Sequence, residues 1–150
     1  GTTFRIYLPL VRKEVKEEET ADEPAAVGGT ETILLAEDEP LVRTALRIVM
    51  EERGFKVIEA VNGDDAIEKF MENRDKIDFI VLDVVMPGKS GKDAYDAIKM
   101  VKPDIKAIFT SGYISSRLSV KEIFEEGLTF ISKPVQPNDL IKKIREMLDN

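Results

Sequence analysis

Residues 32–40 read Thr-Ile-Leu-Leu-Ala-Glu-Asp-Glu-Pro, and the fold is decided here. A short continuous apolar run that ends in acids has the pattern of a parallel strand buried on both faces. Pro40 can open a helix in its first turn, where its missing N–H costs nothing. Leu41, Val42, Ala45, Leu46, Val49 and Met50 then recur at helical spacing until Gly54 stops the run.

The same strand-then-helix unit repeats to the C-terminus. Phe55–Ala60 reads as a second strand, followed by an Asn62-Gly63 turn. A helix capped near Asp64 should carry Ala66, Ile67, Phe70 and Met71 inward. Phe79–Asp83 is a third strand. Pro87-Gly88 and Gly91 mark a loop before a helix with Ala94, Tyr95, Ile98 and Met100. Lys106–Ser111 is a fourth strand, with a weaker helix over about 116–126. Leu128–Ser132 is a fifth strand, and Pro137 opens a last helix with Leu140, Ile141, Ile144, Met147 and Leu148 inward. Five apolar strands alternating with five helices imply an α/β, doubly wound, five-stranded parallel sheet with right-handed crossovers. In such folds ligands sit beyond the carboxyl ends of the strands, where the strand order switches.

Composition narrows the chemistry. The 150 residues contain no Cys, no His and no Trp, so thiolate nucleophiles, zinc-thiolate sites, imidazole ligands and Ser-His-Asp triads are excluded. What remains is carboxylates, hydroxyls, lysines and a hard cation held by oxygen. The net charge of -7, with no basic stripe, argues against nucleic acid as a partner. No apolar run approaches the roughly 20 residues that span a bilayer. Without a basic-then-apolar leader, the expected compartment is cytoplasmic, with no membrane contact by this segment.

The strand ends gather one set of groups. Strand one ends in Glu37-Asp38, strand three in Asp83, strand four in Thr110-Ser111 and strand five in Lys133-Pro134. Taken singly, each has a plainer role. The acid pair would serve as a helix cap, Asp83 as a strand end, Ser111 as a turn residue before Gly112, and Lys133 as a solvated lysine. Taken together they place three carboxylates, a hydroxyl and an ammonium on one rim. Clustered carboxylates repel unless a cation is present, and an all-oxygen donor set of this kind suits Mg²⁺. Lys133 supplies a point charge for a phosphoryl oxygen, and Ser111 supplies a donor. A carboxylate can itself be the covalent nucleophile, which makes Asp83 a candidate phosphoryl acceptor. Phosphoryl transfer depends on positioning and charge neutralisation, so a site without histidine suffices.

Residues 31–150 resemble the receiver domain of two-component signalling along their whole length. The motifs are LLAEDEP (34–40), FIVLDVVMPGKSG (79–91), IFTSGY (108–113) and FISKPV (130–135). The resemblance implies the flavodoxin-like receiver fold with strand order 2-1-3-4-5. It implies Asp83 as phosphoacceptor, Glu37 and Asp38 as the pair organising Mg²⁺, and Asp38 and Asp83 as direct ligands. Val85 would add its backbone carbonyl. Ser111 and Lys133 would contact the phosphoryl oxygens; Ser111 takes the hydroxyl role because small Gly112 follows. Phe130, three residues before the lysine, matches an aromatic switch position and also suits ordinary core packing. A cis bond is expected at Lys133-Pro134. Glu37 stands where Asp is commoner, so its reach to the metal would be water-mediated. Val85 and Tyr113 occupy positions that modulate hydrolysis of the acyl phosphate. An apolar Val85 cannot orient water and a bulky Tyr113 would shield the phosphoryl group, so slow self-dephosphorylation is expected.

The first ten residues read differently. GTTFRIYLP (1–9) puts Phe4, Ile6 and Leu8 on one face of a β-like run. It resembles the last glycine box and closing strand of a histidine kinase ATP-binding domain. Residues 11–30 are dense in Glu, contain Pro24 and close with Gly28-Gly29, which is linker composition. The resemblance implies a kinase remnant (1–10), an acidic linker (11–30) and a receiver (31–150), as at the C-terminus of a hybrid sensor kinase whose parent protein would be membrane-anchored. The expected partners are a phosphohistidine-bearing kinase domain and a histidine phosphotransfer protein. The leftover strand could pair with a sheet edge of a second copy, a weak homodimer. Two alternatives compete: a stand-alone response regulator acting by docking, and a Mg²⁺-dependent aspartyl-nucleophile phosphatase of the haloacid type. The second wants another acid two residues after the nucleophile, where this chain has Val85. A flavin-binding module is disfavoured because Glu37-Asp38 replaces the hydroxyls and glycines of a phosphate loop.

Overall fold

The computed structural model describes residues 27–112 and 117–150. The readings that concern residues 1–26 and Tyr113 lie outside them. Strands β1 (Thr32–Ala36), β2 (Lys56–Ala60), β3 (Ile77–Asp83), β4 (Lys106–Ser111) and β5 (Thr129–Ser132) alternate with helices α1 (Pro40–Glu52), α2 (Gly63–Asn73), α3 (Gly91–Val101), α4 (Arg117–Glu125) and α5 (Pro137–Asp149). Every strand pairing is parallel, and the order is β2-β1-β3-β4-β5. The expected doubly wound fold and strand order are both present.

The apolar runs are continuous because each strand feeds two cores. Ile33 and Leu35 of β1 join Phe79, Val81 and Ile108 on one face, under Leu46 and Met50 of α1 and Leu140, Ile141 and Ile144 of α5. Leu34, Ile80, Leu82 and Phe109 point the other way, under Phe70 of α2, Tyr95 and Ile98 of α3, and Ile123 of α4. Adjacent side chains of a strand face opposite sides, so burial on both sides removes the polar alternation that marks a half-exposed strand.

Several boundaries and orientations differ from expectation. Strand β3 begins at Ile77 rather than Phe79. Asp78 disguises the start, but its carboxylate accepts a hydrogen bond from the Thr32 N–H at 2.9 Å, beside a register irregularity in β1. Strands β2 and β5 each start one residue later than expected, at Lys56 and Thr129. Helix α2 is capped by Asn62, whose side-chain oxygen accepts from the Asp65 N–H at 2.8 Å, rather than near Asp64. Asp64 and Asp65 instead fill the first turn, where negative charge suits the helix dipole. Met71 does not turn inward. It lies one position past buried Phe70 and is exposed, as are Leu41 and Met100.

Gly28 and Gly29 are not slack chain. Gly29 donates its N–H to the Arg53 carbonyl, and a Cβ on Gly28 would come within 1.8 Å of that same oxygen. Arg145 of α5 grips Glu31 with both arms, at 2.8 and 3.2 Å. The end of the linker composition is therefore packed against α1 and α5, on the side of the sheet away from the strand carboxyl ends.

Candidate functional site

Three of the strand-end groups converge because β1 and β3 are neighbours in the sheet. Glu37 leaves the end of β1 with its N–H bonded to the Ala60 carbonyl of β2, and its side chain is only 1% exposed. Asp38 follows and is exposed. Asp83 closes β3, buried, with one carboxylate oxygen accepting from the Val85 N–H at 3.2 Å. One oxygen from each of Glu37, Asp38 and Asp83 lies within 4.8 Å of the others.

Lys133 reaches this cluster from beyond β5. Its Nζ donates to Glu37 Oε2 and Asp83 Oδ2, both at 2.7 Å. Its backbone N–H bonds the Ser111 carbonyl at 2.7 Å, which seats the turn after β5 on the end of β4. The Lys133-Pro134 bond is cis. Burial works against the Lys133 charge, but the hydrogen bonds to Asp83 and Glu37 prevail and hold the ammonium above the usual lysine range. Burial likewise pushes the Glu37 carboxyl up from its ordinary value. The hydrogen bond from Lys133 opposes that rise, and the nearby Asp83 charge adds to it. Among the described residues one ammonium bonds two of three clustered carboxylates, so the cluster carries excess negative charge, with Glu37 and Asp83 buried and Asp38 exposed. Such a donor set, all carboxylate oxygen, matches a small hard divalent cation.

The other expected residues sit around this centre. Ser111 is buried at the end of β4, and its hydroxyl donates to the Gly112 carbonyl at 2.9 Å rather than to any of the acids. Val85 lies just past Asp83 with its side chain half-exposed. Phe130 packs against the core beneath α4 and meets Phe124 with the rings tilted by 51°, centroids 5.5 Å apart. Beside Lys133 runs an open apolar groove lined by Leu41, Val42 and Leu46 of α1 and by Pro134 and Val135.

Two further residues belong to the site, and sequence reading missed them. Gly91 appears in sequence only as loop punctuation. In space a Cβ there would stand 2.1 Å from the Asp83 carbonyl oxygen, so the start of α3 closes directly on the acceptor strand. Ser90 caps that helix with a reciprocal bond to Asp93, which fixes the approach. Arg43 reads as an ordinary polar position of α1, yet its guanidinium donates to the Glu37 carbonyl at 2.8 Å. Its place one turn into the helix after the acid pair was the available signal.

Comparison with known proteins gives a consistent picture. Residues 33–145 match the family described as the response regulator receiver domain. Over 99% of its length the chain is 32% identical to the sensor kinase CckA of Brucella abortus, of which it spans 17%. It is 29% identical to the chemotaxis protein CheY of Thermotoga maritima over 77% of this chain and 95% of that one. A solved response regulator receiver domain protein from Clostridium thermocellum superposes with a TM-score of 0.73 at 27% identity, covering 79% of this chain and 94% of that chain. No helix among the described residues is long and apolar enough to cross a membrane. With the strand order, the rim of acids and the bridging lysine in place, the chain belongs to the response regulator receiver domain family of two-component phosphorelay signalling.

Proposed function

We propose that Asp83 accepts a phosphoryl group from a phosphohistidine, with Glu37, Asp38 and Asp83 holding Mg²⁺ and the Val85 carbonyl completing the protein's share of ligands. The observation that carries this is the bridge of Lys133 between Glu37 and Asp83, within a triad of carboxylates at the carboxyl rim of the sheet. An Asp83 carboxylate oxygen attacks phosphorus and forms the O–P bond. The N–P bond of the donor breaks, and its electron pair leaves with the imidazole nitrogen, which takes up a proton from solvent. Mg²⁺, when bound, supplies positive charge to the phosphoryl oxygens. Lys133 transfers its hydrogen bond from the Asp83 carboxylate to a phosphoryl oxygen, and Ser111 rotates its hydroxyl away from Gly112 to donate to another. Ser111 and Phe130 form the switch, the first by following the phosphoryl group and the second by moving against Phe124 of α4. The half-exposed Val85 side chain and Tyr113 favour slow loss of the phosphoryl group.

The donor must come from outside these 150 residues, since they contain no histidine. The apolar groove beside Lys133 offers a phosphohistidine-bearing domain a dry surface next to the acceptor. Alignment with the sensor kinase covers residues ahead of the receiver match as well as the receiver itself, which supports origin in a hybrid kinase with residues 1–10 as its ATP-domain remnant and 11–30 as linker. A stand-alone regulator in a cytoplasmic setting is the second reading, favoured by the near-complete coverage of the chemotaxis protein.

The test is incubation with acetyl phosphate and Mg²⁺, read by intact mass. Wild type should gain one phosphoryl group and Asp83→Asn none. No adduct on wild type, or an equal adduct on both, would sink the proposal.

A further inference from the structure

The loop that carries the acid pair lacks the usual means of being held. Helix α1 begins without a side-chain cap at Glu39, and Pro40 has no N–H to offer. Glu37 has its own anchors: its N–H meets Ala60, its carboxylate accepts from the Glu39 N–H at 3.2 Å, and Lys133 holds the other oxygen. Asp38 has none of these. It is exposed, and among the described residues no donor reaches its carboxylate. Its direction is set by its backbone alone.

Arg43 is the group that grips that backbone. Its Nη1 donates to the Glu37 carbonyl at 2.8 Å and approaches the Asp38 carbonyl at 3.4 Å. Its Nε faces Glu59 of β2 at 3.5 Å, and Arg47 holds the other Glu59 oxygen at 3.4 Å. Glu59 lies opposite Leu35 in the β1–β2 register, so the chain from Glu59 through Arg43 to the loop is braced on the sheet. Arg43 is mostly buried, with a side chain 16% exposed, so the contact is not a loose surface pair. A guanidinium suits this task because its planar fork serves a carbonyl and a carboxylate at once, where an ammonium would serve one.

We propose that Arg43 is a positioning residue for the divalent cation: it clamps the carbonyls of Glu37 and Asp38, and so aims the Asp38 carboxylate at the metal. The inference rests on the Mg²⁺ role proposed above. Groups that orient metal ligands without touching the metal typically change affinity by about 10–100-fold when removed. Because Asp38 has no other tether among the described residues, its loss of direction should fall on metal affinity rather than on the later chemistry.

The test is calorimetric titration of the unphosphorylated protein with Mg²⁺, followed by acetyl phosphate phosphorylation over a range of Mg²⁺ concentrations. Arg43→Ala should weaken Mg²⁺ binding about tenfold or more. Arg43→Lys should fall between that and wild type, and Glu59→Ala should weaken binding less than Arg43→Ala. The half-saturating Mg²⁺ concentration should rise while the phosphorylation rate at saturation stays near wild type. Circular dichroism checks that each variant is folded, and if Arg43→Ala is not, the Lys and Glu59 variants carry the comparison. A wild type that binds no Mg²⁺ refutes the metal role itself. A wild type that binds, with variants within about twofold of it, overturns the role of Arg43 alone. A lower saturating rate at unchanged Mg²⁺ affinity overturns it too.

Discussion

Lys133 Nζ lies 2.7 Å from Asp83 Oδ2 although a whole strand, β4, stands between the two residues in the sheet. The side chain crosses over the end of β4 and continues to Glu37 on the far side of Asp83. One flexible cation thus compensates charges from two other strands. Its removal leaves two carboxylates, each at most 6% exposed, without a counter-ion among the described residues.

Lys133→Ala should therefore destabilise the apo protein at neutral pH. Breaking a fully buried pair costs about 3–5 kcal/mol, and the partial exposure of Lys133 lowers that to about 2 kcal/mol. Urea unfolding checks this, and added Mg²⁺ should recover part of the loss by ligand linkage. Lys133→Arg should restore stability better than phosphorylation, since a rigid planar fork does not replace a mobile point charge. Unchanged unfolding midpoints for Lys133→Ala would show that the bridge contributes nothing.

Gly91→Ala should harm both stability and phosphoryl acceptance. Its Cβ would overlap the Asp83 carbonyl, so either α3 or the end of β3 must move. Overpacking of this kind costs about 1–3 kcal/mol. The rate of acetyl phosphate labelling should fall with the displaced acceptor, while Gly112→Ala, whose added carbon meets nothing within 4 Å among the described residues, should leave stability close to wild type.

Leu41→Asp should separate docking from chemistry. Leu41 is 80% exposed in the groove beside Lys133, so the change should alter stability by less than about 0.5 kcal/mol. Labelling by acetyl phosphate should stay as in wild type. Transfer from a phosphorylated histidine kinase domain should slow severalfold, and equal transfer rates would exclude the groove as a docking surface.

The Glu31–Arg145 pair sets a pH dependence far from the site. The hydrogen bond from Arg145 holds the Glu31 carboxyl below its ordinary value of 4.5. A depressed folded pKa means stability that is present above the unfolded pKa and lost as pH falls through the folded one. Glu31→Gln should then cost about 1 kcal/mol or less at pH 7, less still in high salt, with the gap to wild type closing in acid. A gap that widened as the pH fell would contradict the pairing.

The phosphorylated domain should keep its phosphoryl group for minutes rather than seconds. Val85→Asn, which places an amide able to orient water in the half-exposed position two residues after Asp83, should shorten that lifetime severalfold. Phosphate release from purified phosphoprotein measures both.

Much of the fold was legible because parallel strands buried on both faces write their pattern locally. Five apolar runs, each followed by helical spacing, specify the layers, and the acids, hydroxyl and lysine at their ends mark the rim. Legibility failed where a side chain took over a backbone role. Asp78 looks like a strand breaker and instead bonds the Thr32 N–H, and Asn62 rather than Asp64 caps α2. Composition also leaves conformation open: Gly28 lies against the Arg53 carbonyl, and Gly29 donates its N–H to it, contacts that linker composition does not encode.

By itself, then, the sequence determined which groups stand at the carboxyl ends of the strands, because that depends only on periodicity and order along the chain. It also excluded a donor histidine within these residues. Only the tertiary structure decided which of those groups touch. That Lys133 spans Glu37 and Asp83, and that Arg43 and Arg47 of α1 meet Glu59 of β2, follow from strand order and helix packing. Those contacts join residues up to 96 positions apart, and no local pattern encodes a distance between side chains that meet only after the sheet has closed.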